Sequence, residues 1–205
     1  MILLRRIVAL AALVATTNAC GDVVRQGRSP VVLVIDNLQA APTGGFGSGA
    51  FQGVLFSDVI VNVTKPDPCS PTSPCPTVFS DLGQVTFHLV SKDAALTPTT
   101  NNQVTLSRLR VTFRRQDGRN TPGVDVPFGF DAGLTGTVAP TGTTVLSFEL
   151  VRHVAKEESP LVQLVVNPNK ILAVADVTFF GTDLTGNAVT ATGSISIEFG
   201  NFGDA

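Results

Sequence analysis

The chain has 205 residues, with 14 basic and 16 acidic side chains and a formal net charge of −2. That balance excludes a general affinity for nucleic acid, which needs a dense basic surface, and the length suits one domain with a real hydrophobic core. The complete lack of tryptophan and tyrosine argues against a carbohydrate module built on stacking amphipathic rings; the 13 phenylalanines belong in a core.

The first twenty residues carry three successive signals: Arg5 and Arg6, an apolar run over 7–15, and small residues leading to Cys20. The run is too short to span a bilayer, so 1–19 is expected to be a cleaved export signal. The stretch Thr17-Asn18-Ala19-Cys20-Gly21 resembles the lipobox of bacterial lipoproteins, in which a small residue precedes an acylated cysteine that becomes the new N-terminus. The family pattern favours Leu where this chain has Thr17. The resemblance implies a lipid on Cys20; the alternative is ordinary cleavage after Ala19. Removing Arg5 and Arg6 leaves 12 basic against 16 acidic residues, a mature net charge near −4. The polar residues up to Pro30 read as a tether, so the expected organisation is signal 1–19, lipidated N-terminus and tether 20–30, and one domain over 31–205.

Beyond the tether, β-branched and apolar runs mark strands at 31–36 and 54–63, with a glycine-rich loop over 41–53 between them. That loop fits neither a phosphate-binding motif nor a strand-to-helix turn, and it is one place for a ligand to sit. Next comes Lys65-Pro-Asp-Pro-Cys-Ser-Pro-Thr-Ser-Pro-Cys-Pro76, whose five prolines keep it out of helix and sheet ladders. Cys69 and Cys75 are expected to pair there, as exported cysteines do. No histidine or further cysteine lies near enough in sequence to support a metal site. Such pairing leaves Cys20 over, and acylation gives it a use.

Val85, Phe87 and Leu89 alternate with polar positions, placing His88 on an outer face. In the strand at 104–115 the apolar parity changes near Ser107 and Arg108, which predicts a β-bulge. Four more strands are expected at 126–130, 143–151, 171–180 and 188–199, with Asp-Gly, Pro-Gly, Thr-Gly and Gly-Asn turns between elements. One helical turn is expected near 157–165, with Ser159 as cap and Pro160 at its first position. The sum is an all-β, immunoglobulin-like sandwich of seven to nine antiparallel strands. The segment Val177-Thr-Phe-Phe-Gly-Thr-Asp-Leu-Thr-Gly-Asn-Ala-Val189, followed by Ile195-Ser-Ile-Glu-Phe199, resembles the last hairpin of bacterial immunoglobulin-like domains. That resemblance implies a fold and no activity.

No catalytic constellation stands out: there is no Gly-x-Ser-x-Gly elbow, and His88 and His153 are the two histidines. The distinctive feature is Arg108, Arg110 and Arg114 on one strand face, joined by Arg115 and Arg119 at the following turn. They form either a positive stripe for an anionic partner or a solvated face whose charges meet Asp or Glu across the strands and discourage edge pairing. Acidic turns at Asp117, Asp125, Asp131 and Asp183 are candidate calcium loops as well as ordinary turn formers, though no twelve-residue calcium loop is present. No cofactor is expected. Three classes of function are carried forward: a structural or interaction lipoprotein attached to a membrane through its lipid, a module for an anionic or calcium-dependent ligand, and a hydrolase. Oligomeric state is left open.

Overall fold

The computed structural model describes residues 27–45 and 49–203; the expected signal, Cys20 and most of the tether lie outside them, as do residues 46–48 of the glycine-rich loop. Ten strands follow in chain order: β1 (Val31–Pro42), β2 (Val54–Asp58), β3 (Val61–Val63), β4 (Cys75–Thr77), β5 (Asp81–Ser91), β6 (Val104–Arg114), β7 (Phe130–Val138), β8 (Thr144–Val151), β9 (Ile171–Asp183) and β10 (Ala188–Gly200). One short helix, α1 (His153–Glu157), and a 3-10 turn (Leu161–Val165) lie between β8 and β9.

The strands form an all-β sandwich. One sheet has the order β1-β5-β8 and the other β2-β10-β9-β6-β7, while β3 and β4 make a separate ribbon. The main sheets thus hold eight strands, within the expected seven to nine. Their arrangement follows the immunoglobulin scheme, with three strands of one layer facing a layer built on the last hairpin and β6. Neighbours are antiparallel except β2 and β10, which run parallel. The core is the set of inward residues from both layers. At its centre the ring of Phe179 meets Phe87 and Phe148 edge-on, with centroids 5.0 and 5.5 Å away. Gly83 makes room for this arrangement, because a Cβ there would lie 2.4 Å from the Phe148 ring.

The bulge expected near Ser107 is present: the register of β6 against both β7 and β9 shifts between Leu106 and Arg108. The last hairpin is also as expected, with β9 and β10 paired from Ile171↔Phe199 to Thr182↔Ala188. Four expectations need correction. First, β1 continues past a second bulge at Asp36 to Pro42, so the loop starts later than 41. Second, the run at 54–63 is two strands; the Asp58 carboxylate accepts the Ile60 N–H and turns the chain out of the sandwich into the ribbon. Third, the strand expected at 126–130 lies at β7 instead. Pro127 removes a ladder donor, and Gly129 sits where a Cβ would press on the Val111 carbonyl at 2.9 Å. Fourth, the helical turn expected near 157–165 is present at Leu161–Val165, but Ser159 makes no side-chain cap; Pro160 itself occupies the N-cap position of that turn.

Candidate functional site

The five arginines singled out from the sequence share one region of the molecule, and each meets a carboxylate. Arg108 and Arg110 both bond Asp131 on β7, at 3.2 and 3.1 Å. Arg114 bonds Asp176 on β9 at 2.7 Å, and Asp176 also accepts the Ser194 hydroxyl. Arg115 and Arg119 close on Asp117 at 2.6 and 2.8 Å. Five guanidinium groups therefore face three carboxylates that belong to the fold itself. The Arg119 hydrogen bond, with Arg115 behind it, holds the Asp117 carboxyl at about 2. Of the two readings of this face, the geometry is that of cross-strand charge pairing, which leaves a reduced positive excess.

The charged residues continue beyond β6. Here Arg115 and Arg119 line a cleft of about 430 Å³ together with Asp125, Gln163, Asn167 and Lys170. Arg119 is the freest of its cations, 64 % exposed, while Lys170 reaches Glu198 at 3.2 Å. Val124, Val162 and Val166 stand exposed at this end of the molecule, Val162 on the 3-10 turn.

The opposite end receives the chain from the tether. Asp183 closes the β9–β10 turn with its carboxylate fully occupied: Oδ1 accepts the N–H groups of Thr185 and Asn187 and the Thr185 hydroxyl, and Oδ2 accepts the Asn187 amide. The buried Ser29 hydroxyl also favours the ionised carboxylate. Burial works to raise the Asp183 carboxyl, but these donors outweigh it and hold the group at about 2. A turn that satisfies its own carboxylate has little left for an ion, and no group of three or more His, Cys, Asp or Glu side chains able to hold a metal occurs among the described residues. β9 spans the distance between the two ends. Its thirteen residues, at about 3.3 Å each, put the cleft about 40 Å from the Ser29 end.

The histidines do not come together. His88 lies on the outer face of the three-stranded sheet, its Nδ1 2.6 Å from Asp36. His153 begins α1 and is exposed. Cys69 and Cys75 are bridged, with Cα atoms 5.3 Å apart, and the disulfide closes the proline-rich excursion carried by the β3–β4 ribbon.

One cluster was not visible in the sequence. Lys156, from α1, enters the interior and meets Asp81 at the start of β5, with Nζ 2.9 Å from Oδ2 and both side chains 1 % exposed. The Ser57 hydroxyl donates to the same Oδ2 at 2.6 Å, and Lys156 donates a second bond to the Asp58 carbonyl at 2.8 Å. Burial pushes the Asp81 carboxyl up, against the opposing pull of Lys156, Ser57 and the Thr43 backbone. Removing either ion would strand the other away from water, which costs about 3–5 kcal/mol in such pairs. In sequence, Lys156 precedes Glu157 and Glu158 and reads as part of a solvated charge run. Beside it, the Arg152 guanidinium lies over the Phe130 ring at 4.4 Å.

No helix among the described residues is long and apolar enough to cross a membrane. No known protein-family model matches the chain, and no curated protein is significantly similar to it.

Proposed function

We propose that this is an exported envelope protein, held to a membrane by lipid on Cys20, whose sandwich serves a structural or interaction role through its surface. The observation that carries the reading is the N-terminal run of two arginines, a short apolar stretch and small residues ending on Cys20, a cysteine left over once Cys69 and Cys75 have paired. The fold is compatible with such a tether: the chain joins the sandwich at Ser29, and the polar cleft lies at the other end. Gly21 follows the cysteine where a retention signal would have an acidic residue, which favours an outer membrane or the cell surface. Cell fractionation of a Cys20→Ser variant tests the anchor. The variant leaves the membrane fraction while keeping the β-rich circular dichroism of the parent; retention in the membrane refutes it.

A second reading, capture of an anionic partner, draws support from the gathering of Arg115, Arg119 and Lys170 in one cleft. Charge reversal separates the places where such a partner would touch. Arg119→Glu with Lys170→Glu abolishes capture if the cleft is used, and Arg110→Glu with Arg114→Glu does so if the strand face is used. Unchanged capture by both pairs removes this reading.

A further inference from the structure

We propose that Lys156 and Asp81 condense into an intramolecular isopeptide bond, which would lock β5 to the connection between β8 and β9. The geometry already holds a primary amine against a carboxyl in a site closed to water, with Nζ 2.9 Å from Oδ2. Since Oδ2 is bonded to Cγ, the nitrogen lies within about 4 Å of the carbon it attacks, near the 3–3.5 Å of a reactive approach. Neither group has room to leave. Lys156 sits on a five-residue helix whose Ala155 is also buried, and Asp81 opens a strand paired on both sides, to Pro42 and to Val151.

The surroundings mark the leaving oxygen. Condensation proceeds from the amine and the carboxylic acid, the pair formed when one proton crosses the 2.9 Å from Nζ to Oδ2. The raised Asp81 carboxyl agrees with this. Nζ then attacks Cγ, and the bond between Cγ and Oδ2 breaks. Oδ2 departs as water, carrying the carboxyl proton and one proton from the nitrogen. Oδ1 stays as the amide carbonyl, and the remaining N–H keeps the Asp58 carbonyl as its acceptor. The Ser57 hydroxyl, 2.6 Å from Oδ2, donates to the oxygen that leaves and stabilises it as charge develops there. Atoms and electrons balance with no further reactant. Exclusion of water from the finished site opposes hydrolysis. The bond forms whether or not Cys20 is acylated.

Tryptic mapping of the purified protein, from whichever cell fraction holds it, tests this directly. Cleavage after Arg28, Lys92, Arg152 and Lys170, with Lys65 protected by Pro66, places Asp81 in peptide 29–92. Unmodified Lys156 releases the tetrapeptide 153–156. The expected product is peptide 29–92 joined to 153–170, lighter than their sum by one water, with the tetrapeptide depleted. Fragmentation places the branch at Lys156 and Asp81. A Lys156→Arg variant keeps the charge, cannot condense in this way, and yields 29–92 at its full mass, with cleavage after position 156 giving 153–156 and 157–170. Complete recovery of 153–156 with 29–92 at its full mass, in the wild-type digest alone, overturns the proposal even if the variant fails to fold.

Discussion

Asp183 closes the final hairpin, and its replacement by Asn gives a calculable effect. The folded carboxyl titrates at about 2 against an ordinary 3.8. The unfolded chain therefore binds more protons between these values, and the folded state gains from Asp183 ionisation. The gain is fully present above the ordinary value and is lost as pH falls toward 2. A difference near two units corresponds to about 2 kcal/mol. In Asp183→Asn, an amide NH₂ or a weaker neutral oxygen faces the Asn187 and Thr185 donors, so the variant is destabilised by about 2 kcal/mol at pH 7. For a chain of this length that lowers Tm by about 4–8 °C. Urea unfolding followed by circular dichroism at pH 7, 4 and 2.5 measures the gap between variant and parent. The gap stays similar from pH 7 to pH 4 and narrows by pH 2.5 if the reasoning holds. A gap that is absent at pH 7, or equal at pH 7 and pH 2.5, refutes it.

Core packing supplies a second expectation. Phe179→Ala leaves Phe87 and Phe148 facing a void and costs about 3–5 kcal/mol by denaturant titration, whereas a loss under 1 kcal/mol would show that Phe179 is not central. Gly83→Ala drives a methyl into the Phe148 ring and costs about 1–3 kcal/mol; no loss in the same titration would contradict the packing. Replacing Cys69 and Cys75 together by Ser opens a loop of only six residues, so the domain still folds and loses about 2 kcal/mol by urea unfolding; failure to fold would contradict the local role given to the bridge. Arg110→Ala leaves Tm unchanged within error at physiological salt, because its partner Asp131 is equally open to solvent; a clear fall would show that the arginine face carries the fold.

The fold was largely legible because its strands alternate cleanly. The parity change in β6, the outward placing of His88 and the Asp183 turn all follow from side-chain period and turn chemistry over a few residues. The misses share a different cause. β7 reads Phe-Asp-Ala-Gly-Leu-Thr-Gly-Thr-Val, with two glycines and an aspartate that are poor strand formers, and it is a strand because β6 offers it a ladder. Long-range partners were equally hidden. Asp131 and Asp176, which neutralise the arginine face, lie 21 and 62 positions from the guanidinium groups they bind. The same holds for Lys156. A lysine beside two glutamates looks solvated until the crossover from β8 turns it toward Asp81 and the Ser57 hydroxyl. At the N-terminus the opposite applies, since charge, apolar length and Cys20 are read directly from adjacent residues.

The central claim is the lipid on Cys20, and mass spectrometry of the mature N-terminus tests it most directly. The N-terminal tryptic peptide of the membrane-extracted protein runs from Cys20 to Arg25 if cleavage precedes the cysteine. The expected product is this peptide with a diacylglyceryl group on the Cys20 sulfur. The same peptide with an unmodified thiol, or a mature chain that starts elsewhere, contradicts it.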